Sequence, residues 1–79
     1  MKEYTVIISR NGKDRAETGT LEELKQYFKY TLECGKSWEN DAGCRKVNDN
    51  PKSGKALVNS LNNSAYNTQN YSTTYSLGA

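Results

Sequence analysis

The apolar positions of this chain follow two different periods. At its start, EYTVIIS over 3–9 is rich in β-branched residues and tyrosine, the composition of a strand. Asn11-Gly12 follows, a pair that tolerates the positive φ angles of a tight hairpin turn. A return strand is predicted over 13–18, and its strongly polar character suits an edge strand with one solvated face. Near the end of the chain, YSTTYSL puts Tyr71, Thr73, Tyr75 and Leu77 on one face. That period of two predicts a third strand, pairing beside the first.

Between these strands the period becomes helical. Thr20 precedes Leu21, and Glu23 lies three residues on, the spacing of a capping box. Stepping about 100° per residue from Leu24 places Leu21, Tyr27, Phe28, Thr31, Leu32 and Cys34 in one arc. Glu22, Lys25, Gln26, Lys29 and Glu33 fall opposite, as on an amphipathic helix resting on a sheet. Gly35 is predicted to end this helix as a left-handed cap. A long irregular connection follows over 35–49, and such loops often carry function. Asn50 as N-cap and Pro51 at the first helical position predict the start of a second helix. Its buried stripe is Gly54, Leu57, Val58, Leu61 and Ala65, while Lys52, Lys55, Asn59, Asn62, Asn63 and Tyr66 share an arc on the other side. The order β-β-α-α-β predicts one α+β domain over 1–79, a three-stranded antiparallel sheet with two helices on one face.

Only 34% of the residues are hydrophobic. Each regularly spaced apolar residue is therefore assigned to the core, and a homo-oligomer is expected to complete it. The formal charge of +2 is too balanced for general nucleic-acid binding but leaves room for a local basic pocket. No run of about 18 apolar residues offers a membrane span. The apolar run in MKEYTVIISR is too short for a signal peptide, so a cytoplasmic location is expected. Cys34 and Cys44 are expected to be reduced, with Cys34 acting as a small core hydrophobe.

Enzyme chemistry finds little support in the residues. The chain contains no histidine, the usual general base and triad member. Gly35-Lys36-Ser37 matches the end of a phosphate loop, but Tyr30 stands where the pattern needs glycine, and a helix precedes it where a strand should. Two thiols without a histidine do not fill a zinc site, and the Asn and Asp residues lack calcium-loop spacing. Neither a metal nor a cofactor is expected. Binding remains. Lys36, Arg45, Lys46, Lys52 and Lys55 gather cations along the loop and second helix, Ser37 adds a hydroxyl, and asparagine amides can read hydroxyls and base edges. The expected ligand-binding residues are Trp38, Lys46, Asn48, Asn50, Lys52, Lys55, Asn62, Asn63 and Tyr66. Trp38 has two readings, closing the core between helix and loop or stacking on a planar ligand. Tyr66 and Tyr71 offer further flat surface. The bland alternative for the asparagine face is a solvated helix surface.

GTLEEL at 19–24, TLECGKS at 31–37, KVNDNPK at 46–52 and LVNSLNNSA at 57–65 carry a resemblance that spans most of the chain. Together they resemble a family of short uncharacterised proteins of tailed phages. That resemblance implies an accessory role, and small phage proteins of this kind counter host defence, in some cases by sequestering a nucleotide-derived immune signal. The expectation is a non-enzymatic sponge for a cyclic ADP-ribose type ligand or a cyclic oligonucleotide. The alternative is a protein-interaction module that inhibits a host defence protein. Binding of long nucleic acid ranks last.

Overall fold

A computed structural model describes residues 2–78. Strand β1 (Glu3–Arg10) turns through Asn11 and Gly12 into β2 (Lys13–Thr20). Both turn residues have positive φ, 54° and 80°, as a two-residue hairpin requires. The register sets Val6 opposite Glu17 and Ile8 opposite Arg15. Strand β3 (Thr73–Leu77) pairs antiparallel on the other side of β1, with Ile8 opposite Tyr75, giving the order β2-β1-β3. The predicted placement of the third strand is thus the one observed. Tyr71 lies outside it and is exposed.

Three helical segments are present where two were predicted. Segment α1 (Leu21–Tyr27) opens with the predicted capping box, Glu23 N–H donating to Thr20 Oγ1 and Thr20 N–H donating to Glu23 Oε1. Segment α2 (Lys29–Ser37) follows after Phe28, whose φ and ψ of −95° and 12° bend the chain. The hydrogen-bond ladder continues across the bend, since Phe28 N–H reaches Leu24 O and Leu32 N–H reaches Phe28 O. The break is therefore a kink. Leu24 and α1 serve the sheet, whereas Leu32 and α2 serve the third helix. Phe28 fills the corner, edge-on to both Tyr27 and Tyr75 at 4.9 and 5.9 Å. Burying a side chain of this size stabilises by about 1.5–3 kcal/mol. Tyr27, expected on the apolar arc, is pushed out to the surface by this corner.

Gly35 does not end the helix, which continues to Ser37. Its role is close approach: a Cβ there would run into Ser64 of α3 (Gly54–Asn67). The start of α3 also differs from expectation. Ser53 is the N-cap, its Oγ accepting from Ala56 N–H at 3.1 Å, and Asn50-Pro51 lie before the helix. Pro51 is buried and Lys52 stands outside α3. Eight of the fourteen residues of α3 are buried, so it is enclosed on more than one stripe. The sheet, α2 and the connection over 38–53 all lie against it, and Val47 of that connection joins Leu57 and Leu61 in the core. Cys34 and Cys44 are free thiols. Among the described residues no helix is long and apolar enough to cross a membrane.

The contact between α2 and α3 depends on a missing methyl group. Gly35→Ala is expected to lower the unfolding free energy by about 1–3 kcal/mol in urea denaturation, although alanine is the better helix former. Adding Ser64→Gly should not recover that loss, because the new Cβ also runs into the Ser64 Cα.

Candidate functional site

The asparagines of α3 face three different partners. Asn62 pairs with the outer edge of β3 as a neighbouring strand would, its Oδ1 accepting from Tyr75 N–H at 2.8 Å and its Nδ2 donating to Tyr75 O at 2.9 Å. Asn63 Nδ2 donates to Lys46 O at 3.0 Å. Asn67, which the sequence reading did not single out, is buried and does most. Its Oδ1 accepts from Arg45 N–H, and its Nδ2 donates to Arg45 O and Gly35 O. Ser60 Oγ accepts from Asn48 N–H. The expected contiguous polar face is therefore largely a set of attachments for the connection and for β3, and Asn59 remains exposed.

The same connection is clamped from α2. Glu39 accepts from Val47 N–H and from Lys36 Nζ, and Lys36 Nζ also reaches Val47 O. The Val47 N–H and then Lys36 hold the Glu39 carboxyl below its ordinary value.

The other expected ligand-binding residues are spread along this frame. Trp38 caps the C-terminus of α2 and is 47% exposed, so it does not close the core. Asn48 Oδ1 accepts from Asn50 N–H, a local turn that replaces the expected helix cap. Asn50 Oδ1 accepts from Lys25 Nζ at 2.8 Å. Lys46, Lys52 and Lys55 are exposed. Only Asn62 and Tyr66 of the expected set line a common groove, about 250 Å³ in volume, between α3 and β3.

That groove is built from residues far apart in sequence. Its walls are Arg45, Asn62, Tyr66, Asn70, Tyr71 and the Thr73-Thr74 pair, with Ala65 beneath. The Arg45 guanidinium lies 3.9 Å from the centre of the Tyr66 ring, a cation–π arrangement. Asn67 sets this geometry by gripping the Arg45 backbone on both its N–H and its C=O. Tyr71 meets Tyr66 edge-on at 5.9 Å. Arg45 and Tyr71 were visible in the sequence as a cation and an aromatic, but no spacing signalled that they would meet Tyr66. Among the described residues no group of three His, Cys, Asp or Glu is placed to hold a metal ion. No family model matches this chain, and searches of curated proteins and of solved structures find no match.

Two consequences can be measured. Asn62→Ala strands a backbone N–H and C=O and is expected to cost about 1–3 kcal/mol, whereas Asn59→Ala should leave stability unchanged or raise it by roughly 0.5 kcal/mol. Equal effects in chemical denaturation would refute the distinction. The depressed Glu39 carboxyl contributes stability above the ordinary carboxylate range and loses it as pH falls through its lowered folded value. The Val47 amide signal should move with that titration, and Glu39→Gln should abolish the movement.

Proposed function

We propose that this protein is a non-enzymatic binder that sequesters a small nucleotide-like ligand. The observation that carries the reading is the Arg45–Tyr66 stack in the groove between α3 and β3. An arginine laid on an aromatic ring is a flat, cationic platform that suits a base, and its outer N–H groups suit a phosphate. Lys46 adds positive charge next to Arg45, while Asn70 and Thr74 supply polar atoms for ribose hydroxyls. Asn62 uses its oxygen and one N–H on Tyr75, which leaves one amide hydrogen to offer.

The groove is smaller than the roughly 300–1,000 Å³ common for small-molecule pockets. In this proposal it holds one base or one sugar-phosphate unit, and a second copy of the chain encloses the rest. A cyclic ADP-ribose type molecule or a cyclic oligonucleotide has the matching combination of base, ribose and phosphate. The resemblance to short phage proteins supplies the setting, removal of an immune signal in the cytoplasm of an infected cell.

A second reading has its own observation. Tyr30 of α2 is 79% exposed, and Trp38, the C-cap of that helix, is 47% exposed about two turns further along. Exposed aromatics at that spacing suit an anchor for a host protein.

Calorimetry against cyclic ADP-ribose isomers and cyclic oligonucleotides separates the two readings. Sequestration predicts heat with one ligand class, and a loss of roughly tenfold or more in affinity on Arg45→Gln or Tyr66→Ala. Trp38→Ala should leave that affinity unchanged. No heat with any of these ligands, together with capture of one host protein that depends on Trp38 and Tyr30, would replace it with the interaction module.

A further inference from the structure

A second concave site lies at the hairpin end of the sheet, where the sequence reading placed no function. It is a cleft of about 370 Å³ lined by Ile8, Arg10, Asn11, Lys13, Asp14 and Arg15. The register explains how its cations converge. Arg10 is opposite Lys13, and Ile8 is opposite Arg15, so all four side chains project from the face that carries the helices. They lie along RNGKDR, which reads in sequence only as a polar turn.

Charged residues on sheet edges commonly just prevent edge-to-edge pairing. Three observations set this cluster apart. Arg10 belongs to the central strand, where an edge charge has no purpose, and its Nε donates to Thr73 Oγ1 at 3.0 Å. Arg15 is held from the helical layer, its Nη2 donating to the Tyr27 hydroxyl at 3.1 Å, and that hydroxyl in turn donates to Glu17. Each guanidinium thus has a side-chain anchor while retaining N–H donors for another partner. Beneath them Ile8 and Tyr75 form a buried floor. Burial pushes the Tyr75 phenol up, and the positive charges of Arg10 and Arg15 pull it partly back. Asp14 lines the cleft and Glu17 stands 3.7 Å from Arg15 Nε, so the three cations meet two carboxylates and an excess of positive charge remains.

We propose that this hairpin cleft is a binding site for the phosphate or pyrophosphate group of a small molecule, with Arg10, Lys13 and Arg15 as its donors. Guanidinium forks match phosphate oxygens two at a time, and a fixed fork loses less entropy than a free one. The size of the cleft lies within the small-molecule range. The balanced charge of the whole chain gives a long polyanion no continuous track beyond it. The site goes beyond the α3–β3 groove. The two adjoin at Thr73, which lines the groove and bonds Arg10, but their cations are different residues.

Titration with inorganic pyrophosphate at low ionic strength, followed by amide NMR, tests this directly. Saturable shifts are expected at residues 8–15. Lys13→Gln combined with Arg15→Gln should weaken binding roughly tenfold or more, and Lys13→Arg alone should retain it. Arg45→Gln, which disables the groove, should leave pyrophosphate affinity within about twofold. An unchanged affinity in the Lys13/Arg15 double variant, or shifts confined to residues outside the hairpin, would overturn the site. A single-stranded oligothymidylate that binds the cleft more tightly than pyrophosphate, with a steep salt dependence, would also overturn it by making the ligand a nucleic-acid backbone.

Discussion

The connection between Ser37 and Gly54 has no helix or strand of its own, yet Val47 and Pro51 bring it into the interior. Buried backbone groups must be paired, and this segment pairs only a few of them with itself. Side chains of α3 supply most of the other partners, and Glu39 of the connection itself supplies one. Asn67 takes both backbone groups of Arg45, Asn63 takes Lys46 O, Ser60 takes Asn48 N–H, and Glu39 takes Val47 N–H. The arithmetic favours asparagine despite its poor helix propensity. Each Asn costs about 0.5–0.7 kcal/mol against Ala in a helix, while each amide hydrogen bond contributes about 0.5–1.5 kcal/mol and removing it strands a buried group. Asn67, with three such bonds, lies well on the favourable side.

The same constraint shapes both candidate sites. By gripping the Arg45 backbone, Asn67 sets the guanidinium over Tyr66 at the mouth of the α3–β3 groove. By pairing with Tyr75, Asn62 closes part of the outer edge of β3 and holds that strand against β1. Tyr75 then forms part of the floor under Arg10 and Arg15. The asparagines thus act mainly as scaffold, and in the proposed sites recognition falls chiefly to cations and aromatic rings: Arg45, Tyr66 and Tyr71 on one side, Arg10, Lys13 and Arg15 on the other. The amide-rich helix and the basic residues occupy separate places in the structure, which composition alone would merge into one surface.

Local signals in the sequence were enough for the hairpin, the capping box at Thr20, the pairing of the last strand beside the first, and the α+β architecture. Each depends on residues within a few positions of one another or on a simple alternation. The kink at Phe28 was hidden because no Gly or Pro marks it. It follows from two surfaces, sheet and α3, that one straight helix could not serve together. Asn50-Pro51 gave a stronger helix-start signal than Ser53, but burial of Pro51 claimed that segment for the loop. Gly35 reads as a terminator until Ser64 is seen against it. Of the candidate site, Tyr66 and the loop cations were legible as residue types. The direction of the asparagines was not, because a helical wheel gives angles around an axis and says nothing of a loop that returns to cover the polar side.

Native-state hydrogen exchange tests the scaffold directly. The amides of Arg45, Val47, Asn48 and Tyr75 donate to side-chain acceptors rather than to any backbone carbonyl of a helix or sheet. They are predicted to exchange roughly 100-fold or more slowly than an unstructured peptide. Asn67→Ala should release Arg45 selectively, while Tyr75 remains protected by Asn62. Exchange of the Arg45, Asn48 and Tyr75 amides at unstructured rates in the wild-type protein would contradict the claim that α3 holds the connection and the edge strand in place.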